Sequence, residues 1–292
     1  MTESAFVRKA IPLLIVLTLV WGTNWPLFPI AMREVSVWTF RSVSLMGAGV
    51  ALLLFARLRG QSLAIPRQNW GTLVLAACTY LVVWNIASGY AAILIPSGQA
   101  AILGFTMPFW TALIAWAAMG QRPAPRVLLA LGIGFGGVVL LILNGISAYA
   151  KAPLGFALGL VAGIGWAVGT LILKRRPLPG SPLVTTGWQL LVASVPISLV
   201  ALWLGGGEWH TPSMTTVLVI AYITLVPMAV GNASWFSVVG LLPANIAGLS
   251  SVMVPVVAMI SGAIVLHEPL GPVQWVSMLC CAAGVALALQ RK

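Results

Sequence analysis

The sequence contains no aspartate and only four glutamates among its 292 residues. These four, Glu3, Glu34, Glu208 and Glu268, lie at the N-terminus or in predicted loops. The predicted membrane helices therefore offer no paired carboxylates, and they also lack a Ser/His pair and a cluster of metal ligands, which are the usual groups of an active site. We predict that the protein is not an enzyme and that it binds no metal ion.

Cysteine is also scarce, and the chain has no convincing nucleotide-binding motif. Cys78, Cys280 and Cys281 lie in apolar segments, and their spacing matches no metal site. The sequence GIGFGG at Gly132–Gly137 is a literal G-x-G-x-x-G, but no strand precedes it and no acidic residue follows about twenty positions later. A Walker A sequence is missing as well. We therefore predict no bound cofactor and no direct use of ATP.

Charged residues make up only 7% of the chain, whereas 60% of its residues are hydrophobic and the mean hydropathy is +1.05. Soluble domains carry roughly 25% charged residues, and a helix needs about 20 apolar residues to cross a bilayer. This composition predicts an all-α membrane protein with ten transmembrane helices. Their predicted positions are 11–31, 36–56, 70–90, 96–118, 126–146, 153–173, 183–204, 214–236, 244–266 and 272–290.

The formal net charge of +11 follows from where the basic residues stand in this ten-helix order. With the N-terminus in the cytoplasm, twelve Lys and Arg residues fall on the inner side, and only Arg33 and Lys151 fall outside. This is the positive-inside pattern of membrane proteins. It predicts a multi-pass protein of the cell inner membrane with both termini in the cytoplasm, and no nucleic-acid partner.

The two halves of the chain resemble each other. A shift of 147 positions, or nearly so for the earlier helices, aligns Trp21 with Trp166, Arg41 with Gln189, Asn85 with Asn232, Pro108 with Pro255 and Gly137 with Gly284. Each half holds five predicted helices, so the second half enters the membrane from the opposite side. We predict two inverted five-helix repeats, residues 1–147 and 148–292, around a central cavity. Chance similarity between apolar helices is the alternative.

A pair of prolines recurs in both halves, Pro96 with Pro108 and Pro243 with Pro255. Twelve residues of helix rise roughly 18 Å, so the second proline of each pair falls well inside a membrane helix. It removes a backbone hydrogen bond and frees the carbonyl group four residues earlier. Within a bilayer such a defect must face protein or a water-filled cavity. We therefore predict that Pro108 and Pro255 bend helices beside the cavity.

Glycines four residues apart are expected to let neighbouring helices approach closely. In the predicted fifth helix the pair is Gly132 and Gly136, and in the sixth helix the series is Gly155, Gly159 and Gly163.

Aromatic and amide side chains are the best candidates for the cavity wall. Tyr80, Trp84 and Ser88 recur every four residues and so share one helical face, which suits an amphipathic solute with a flat apolar part. Packing between helices is the alternative, and Trp25 is interpreted as a residue of the outer interface. The predicted substrate-binding set is Trp21, Asn24, Tyr80, Trp84, Asn85, Gln99, Met107, Trp166, Gln189, Asn232 and Ser251.

Arg41 is the one cation predicted inside a membrane helix. Placing an unpaired charge there costs about 2.5 to 3.5 kcal/mol even on insertion scales. Arg41 either reaches the outer interface or pairs with Glu34, or else it attracts the carboxylate of a substrate.

Several motifs together resemble one family of membrane proteins. The sequence WGTNWP, the two five-helix repeats, the paired prolines and the closing LHEPLGPVQWVSMLCCAAGVALAL are similar to the ten-helix EamA-type members of the drug/metabolite transporter superfamily. The likeness covers nearly the whole chain and is closest to exporters of aromatic amino acids. It implies a basket-like bundle whose central cavity opens alternately to each side. Gln121 departs from the family pattern, which has a glutamate after the fourth helix.

The sequence therefore predicts an exporter that moves aromatic and other neutral amino acids out of the cytoplasm by alternating access. Because no membrane helix carries an acid that could relay protons, transport is expected to be facilitative. The expected partners are the amino acid and the lipid bilayer. A monomer is sufficient, and a homodimer is left open. Export of another metabolite or drug, such as a nucleoside or a nucleotide sugar, is the alternative.

Overall fold

The computed structural model describes residues 3–120, 122–204, 211–241, 251–267 and 270–289, and every regular element in these ranges is a helix. Eight helical segments are long and apolar enough to cross a membrane. A ninth apolar helix, Val254–Leu266, is shorter, and an 18-residue helix, Pro272–Leu289, follows it. The prediction of an all-α membrane protein with ten membrane helices is confirmed.

The described parts of the ten membrane segments, called spans 1 to 10, and of the connection between spans 5 and 6 contain fifteen numbered α-helices. The first half comprises span 1 (α1, Glu3–Gly22; a 3₁₀ turn, Trp25–Leu27; α2, Phe28–Ala31), span 2 (α3, Val37–Leu58), span 3 (α4, Trp70–Ala76; a π-helix, Ala77–Val82; α5, Val83–Leu94), span 4 (α6, Ser97–Gly104; α7, Met107–Met119) and span 5 (α8, Pro125–Asn144). A short helix, α9 (Ile146–Lys151), connects the halves. The second half comprises span 6 (α10, Pro153–Arg175), span 7 (α11, Pro182–Leu204), span 8 (α12, Met214–Ile223; a π-helix, Thr224–Gly231; α13, Asn232–Leu241), span 9 (a 3₁₀ turn, Ser251–Met253; α14, Val254–Leu266) and span 10 (α15, Pro272–Leu289).

The packing of the spans has two-fold pseudo-symmetry. Span 3 packs on span 6 as span 8 packs on span 1, and span 4 packs on span 6 as span 9 packs on span 1. Spans 2 and 7 pack on each other, and so do spans 5 and 10. Exchanging the two halves leaves this set of contacts unchanged. The predicted pair of five-helix repeats is therefore the arrangement of the fold.

The crossing of spans 5 and 10 repeats one glycine contact in both halves. A Cβ atom on Gly137 would lie 2.8 Å from the Ser277 carbonyl oxygen, and one on Gly284 would lie 2.8 Å from the Ala130 carbonyl oxygen. The two contacts are equivalent under the 147-residue shift. The prediction for Gly132 and Gly136 is wrong, because both have open space where a Cβ would stand.

The proline-linked breaks lie where the sequence predicts them. Span 4 is interrupted between Gly104 and Met107, two residues before the proline, and in span 9 a 3₁₀ turn precedes α14. A Cβ on Gly163 would lie 2.8 Å from the Gly104 carbonyl oxygen, so this carbonyl faces span 6 rather than lipid. Gly155 and Gly159 likewise face side chains of Leu94 and Leu103, which confirms close approach along span 6. Pro243 lies outside the described residues.

The outward-facing side chains of the described bundle are largely apolar. Leu58, Leu202, Trp203 and Leu279 are among the most exposed. Aliphatic and aromatic side chains of this kind are stable against lipid but not against water. The polar groups that could recognise a solute must therefore be sought inside the bundle.

Candidate functional site

A small cavity of about 30 Å³ lies at the centre of the bundle. Spans 1, 2, 3, 4, 6 and 8 contribute side chains to it, so both halves form its wall. Its lining consists of Trp21, Asn24, Trp25, Phe28, Arg41, Leu81, Trp84, Asn85, Phe105, Trp166, Pro227, Met228 and Asn232. The position at the interface of two inverted halves is the one expected for the binding site of a secondary transporter.

Six of the thirteen lining side chains are aromatic, and Trp166 packs on several aromatic neighbours. Its ring centroid lies 4.9 Å from that of Trp84, 5.2 Å from that of Trp21 and 5.9 Å from that of Trp235. Phe105 packs edge-to-face on Trp84 at 5.6 Å. Edge-to-face pairs are the favoured geometry for aromatic side chains. A solute with a flat apolar part would meet ring faces and edges on several sides of this cavity.

The two equivalent tryptophans differ in their hydrogen bonds. The indole Nε1 of Trp21 donates to the Pro227 carbonyl oxygen at 3.1 Å. The indole Nε1 of Trp166 is buried and has no hydrogen-bond partner in the described part of the chain. Buried polar groups are nearly always hydrogen-bonded, and an exception calls for a partner such as water or a ligand. Trp166 therefore offers the cavity a free donor.

Asn85 and Asn232 lie just after two π-helices that occupy equivalent places in the two halves. These two π-helices begin at Ala77 and Thr224, 147 residues apart. Each asparagine Nδ2 donates to a backbone carbonyl oxygen of the π-helix before it, that of Leu81 or Met228, at 2.8 Å. This bond turns each Oδ1 away from its own helix.

Three buried amide oxygens in the cavity wall are unpartnered. They are the Oδ1 atoms of Asn24, Asn85 and Asn232, for which the described residues supply no hydrogen bond. Each is an acceptor that requires an N–H or O–H donor. An ammonium group or an amide of a solute would satisfy them.

Arg41 lies in this cavity and is fully buried. Its Nε donates to the Asn85 carbonyl oxygen at 3.2 Å, and its Nη2 donates to Ser88 Oγ at 3.4 Å. The alternative that Arg41 reaches the outer interface or pairs with Glu34 is wrong. The Glu34 carboxylate instead accepts from the backbone nitrogen and hydroxyl of Ser213, at 2.7 and 2.8 Å.

Tyr80 and Gln189 lie beside the cavity but do not line it. The Tyr80 hydroxyl donates to Gln189 Oε1 at 2.8 Å, and Gln189 Nε2 donates to the Thr185 carbonyl oxygen at 3.0 Å. Both side chains are buried and hydrogen-bonded to each other. The Tyr80 ring packs edge-to-face on Trp166 at 5.2 Å, so it supports the wall from behind.

The other predicted residues lie farther from the cavity. Met107, Ser251 and Pro255 are buried at the starts of the second segments of spans 4 and 9, and none of them lines it. Pro108 lines a separate cavity of about 10 Å³. Gln99 lines another of about 440 Å³, together with polar side chains at the ends of spans 5 and 10. The structure thus unites Trp21, Asn24, Arg41, Trp84, Asn85, Trp166 and Asn232 and separates the remainder.

Several wall residues were not predicted from the sequence. Trp25 was expected at the outer interface, but only 2% of its surface is exposed and it lines the cavity with Phe28. Phe105 lies in the interrupted turn of span 4. The break is a visible signal for Phe105, because a residue beside a proline-induced break faces the interior.

Comparison with known proteins shows which family this chain resembles. The sequence profile described as "EamA-like transporter family" matches residues 8–143 and 153–290. A "Probable amino-acid metabolite efflux pump" of Escherichia coli strain K12 is 26% identical over 291 residues, covering 95% of this chain and 94% of the relative. The "Uncharacterized inner membrane transporter YedA" of the same strain is 25% identical over 279 residues, covering 93% of this chain and 88% of the relative.

A solved crystal structure superposes on this fold with a TM-score of 0.77 at 16% sequence identity. The superposition covers 96% of this chain and 97% of the other. At this identity the likeness concerns the fold alone.

Proposed function

The chain belongs to the EamA-like transporter family, and from this premise we propose that it exports neutral amino acids, aromatic ones above all, across the cell inner membrane. It is a membrane transporter by family and by fold. The substrate, the direction of transport and the membrane are the proposed part. The names of two relatives, an amino-acid metabolite efflux pump and an inner membrane transporter, support this choice.

The central cavity is the observation that carries the proposal. It presents aromatic faces from Trp21, Trp84 and Trp166, and free acceptors from Asn85 and Asn232. The rings suit the side chain of an amphipathic amino acid, and amide oxygens suit its ammonium group. Trp166 Nε1 is a free donor for an oxygen of the solute.

We propose that transport proceeds by alternating access between the two inverted halves, residues 1–147 and 148–292. In such carriers the two repeats move against each other around a fixed site. The breaks next to Pro108 and Pro255 provide places where spans 4 and 9 can bend. We further propose that both termini face the cytoplasm and that a monomer suffices.

We expect facilitated transport down the gradient of the substrate. The sequence has no aspartate, and its four glutamates lie at the end of a span or in predicted loops, so no carboxylate is placed to relay protons through the bundle. Proton flux is measured with a pH-sensitive dye in proteoliposomes loaded with tryptophan. Proton movement in a fixed ratio to tryptophan would contradict this expectation.

The function is tested by counterflow into proteoliposomes with each of the twenty amino acids and with uridine. Tryptophan and other neutral amino acids should enter well above protein-free liposomes, and uridine should not. Entry of uridine without any amino acid would favour the alternative of nucleoside export.

Asn24→Ala tests whether the central cavity is the site used. In the described residues the Asn24 side chain makes no hydrogen bond and its Oδ1 is buried, so its removal should leave the fold intact. Hydrogen bonds to charged groups contribute about 1.5 to 3 kcal/mol, so tryptophan counterflow should fall about tenfold. Thr23→Ala is the matched control, because Thr23 bonds to the Leu19 carbonyl and the Tyr222 hydroxyl and does not line the cavity. Equal rates in the two variants would place the site elsewhere.

A further inference from the structure

Arg41 has no acidic partner among the residues that the structure describes. The chain has no aspartate, Glu3 begins span 1, the Glu34 carboxylate bonds to Ser213, and Glu208 and Glu268 are predicted in loops. Buried charges in proteins are normally paired, because removing an ion from water costs several kcal/mol even after relaxation. The cavity that contains Arg41 therefore has a positive charge to which the described residues supply no acidic partner.

The groups around Arg41 position the guanidinium but do not neutralise it. The Asn85 carbonyl and the Ser88 hydroxyl accept its hydrogen bonds, and its Cζ lies 4.1 Å from the ring centroid of Phe28 and 4.7 Å from that of Phe40. All four are neutral groups. Cation–π contacts at a desolvated site contribute about 2 kcal/mol, which helps Arg41 remain buried while its charge stays uncompensated.

The unoccupied hydrogen-bonding capacity of Arg41 suits a carboxylate. Its hydrogen bonds to described residues leave from Nε and Nη2 only, so Nη1 makes none with them. A guanidinium binds a carboxylate through strong, charge-assisted hydrogen bonds. A solute with a net positive charge would instead add a second cation to the same enclosure, and like charges repel strongly where water is excluded.

The free amide oxygens of the cavity do not require an ammonium group. Neutral N–H and O–H groups, including those of water, can also donate to Asn24, Asn85 and Asn232. A solute without an amino group can therefore be accommodated, whereas one without a carboxylate leaves Arg41 unpaired.

From this asymmetry we propose that Arg41 makes a carboxylate the required group for recognition in the central cavity. The chain then carries amphipathic monocarboxylates with or without an amino group, and it rejects amines that lack a carboxylate. This inference rests on the proposed function and defines the substrate class of the same site.

Three indole compounds separate the contributions of the two polar ends. Tryptophan has both ends, indole-3-propionate has only the carboxylate, and tryptamine has only the ammonium group. Wild-type proteoliposomes are preloaded with one of the three compounds. They should exchange tryptophan and indole-3-propionate readily, and they should exchange tryptamine at least tenfold more slowly than tryptophan. Exchange of tryptamine as fast as tryptophan would overturn the proposal.

Arg41→Gln and Arg33→Gln form a matched pair, because Arg33 is an exposed cation outside the spans. Arg41→Gln should lower tryptophan and indole-3-propionate exchange about tenfold, since hydrogen bonds to charged groups contribute about 1.5 to 3 kcal/mol. It should also raise tryptamine exchange relative to tryptophan, a change that a purely structural defect would not cause. Arg33→Gln should behave as wild type, and Arg41→Lys should retain the preference for carboxylates. An Arg41→Gln variant that keeps the wild-type preference would contradict the inference.

The results separate this inference from the proposed function. If tryptophan and tryptamine are both exchanged, amino acid transport stands and the role of Arg41 fails. If indole-3-propionate is exchanged and no amino acid is, the role of Arg41 stands and amino acid export fails. If the Arg41→Gln variant does not reach the membrane, exchange of the three compounds by the wild-type protein still tests the inference.

Discussion

Single residues in and beside this cavity differ most clearly in whether their polar atoms have hydrogen-bond partners. Tyr80 and Gln189 bond to each other, so their hydrogen-bonding capacity is used within the protein. Trp166 Nε1 and the Oδ1 atoms of Asn85 and Asn232 are buried without partners in the described chain. A buried polar group that lacks a partner costs about 1 to 3 kcal/mol. We therefore assign recognition to the second group and support of the wall to the first.

Trp166→Ala should reduce transport of large aromatic solutes more than that of small ones. The substitution removes the ring on which Trp21, Trp84 and Tyr80 converge, and a large aromatic solute loses the most contact with it. Counterflow of tryptophan and of threonine, each relative to wild type, measures the difference. Trp203→Ala is the control, because Trp203 is 82% exposed on the outer surface. Equal losses for both solutes would exclude a role of Trp166 in selecting the side chain.

Tyr80→Phe should lower stability without changing selectivity. It leaves Gln189 Oε1 buried without its donor, which costs about 1 to 3 kcal/mol. The double variant with Tyr80→Phe and Gln189→Leu removes both partners and should recover most of the loss. Thermal unfolding in detergent measures stability, and the ratio of tryptophan to threonine counterflow measures selectivity. A large shift in that ratio would mean that Tyr80 contacts the solute.

At the scale of helices, irregular segments recur at equivalent places in the two halves. Spans 3 and 8 each contain a π-helix, span 4 is interrupted before a proline-containing helix, and in the described part of span 9 a 3₁₀ turn precedes such a helix. Irregular backbone is stable at membrane depth only where protein or a cavity can satisfy it. Asn85 and Asn232 each donate a side-chain hydrogen bond to a carbonyl of the neighbouring π-helix. The same residues thus bond to the irregular backbone and present oxygens to the cavity.

Gly137→Ala should destabilise the crossing of spans 5 and 10, whereas Gly136→Ala should not. The added methyl group at Gly137 would meet the Ser277 carbonyl oxygen at 2.8 Å, and this backbone atom cannot move without separating the helices. Overpacking of this kind costs about 1 to 3 kcal/mol. Gly136 has no atom within 4 Å of a built Cβ, and Ala favours a helix by about 1 kcal/mol over Gly.

Thermal unfolding of the purified variants checks the glycine prediction. Gly284→Ala should resemble Gly137→Ala, since its methyl group would meet the Ala130 carbonyl oxygen at the equivalent contact. Identical melting temperatures for Gly136→Ala and Gly137→Ala would contradict the helix crossing described here.

At the scale of the whole molecule, the two halves share their fold but not their charge. Arg41 of span 2 corresponds to Gln189 of span 7 in the repeat, and only Arg41 lines the cavity. Trp21 and Trp166 correspond in the same way, and only the indole nitrogen of Trp166 is unpartnered. Two halves with similar folds therefore form an asymmetric site. A solute bound in this site would take one orientation.

The orientation in the membrane can be tested with two single-cysteine additions. If both termini face the cytoplasm, the segment with Gln68 lies inside and the segment with Thr211 lies outside. A membrane-impermeant maleimide on intact cells should label Thr211→Cys but not Gln68→Cys, and permeabilised cells should give labelling of both. Wild-type protein, whose cysteines lie in spans, provides the background. The reverse labelling pattern would invert the proposed topology.

Much of the fold follows from local features of the sequence. The lengths of the apolar runs gave the spans, because a bilayer imposes a fixed helix length. The 147-residue repeat predicted the two halves. Pro108 predicted the break in span 4, because proline cannot donate a backbone hydrogen bond. Asn24, Asn85, Trp166 and Asn232 were also predicted, since polar and aromatic groups inside a membrane helix need a reason to be there.

Other features depended on contacts between spans. The direction in which a side chain faces in an irregular turn is set by its neighbours, so Trp25 could not be placed from the sequence, and for Phe105 the break beside Pro108 was the one signal. Gly136 and Gly137 are adjacent in one helix, and only the position of span 10 decides which of them is a contact.

What the sequence by itself determined is the membrane class, the repeat and the lack of any acid inside the predicted membrane helices, because these depend on composition and local periodicity. What only the tertiary structure decided is which polar groups remain free. Gln189 is bonded to Tyr80, while Trp166, Asn85 and Asn232 keep unpartnered atoms and Arg41 keeps its charge. Hydrogen-bond satisfaction is a property of pairs brought together from distant spans, and no single helix contains it.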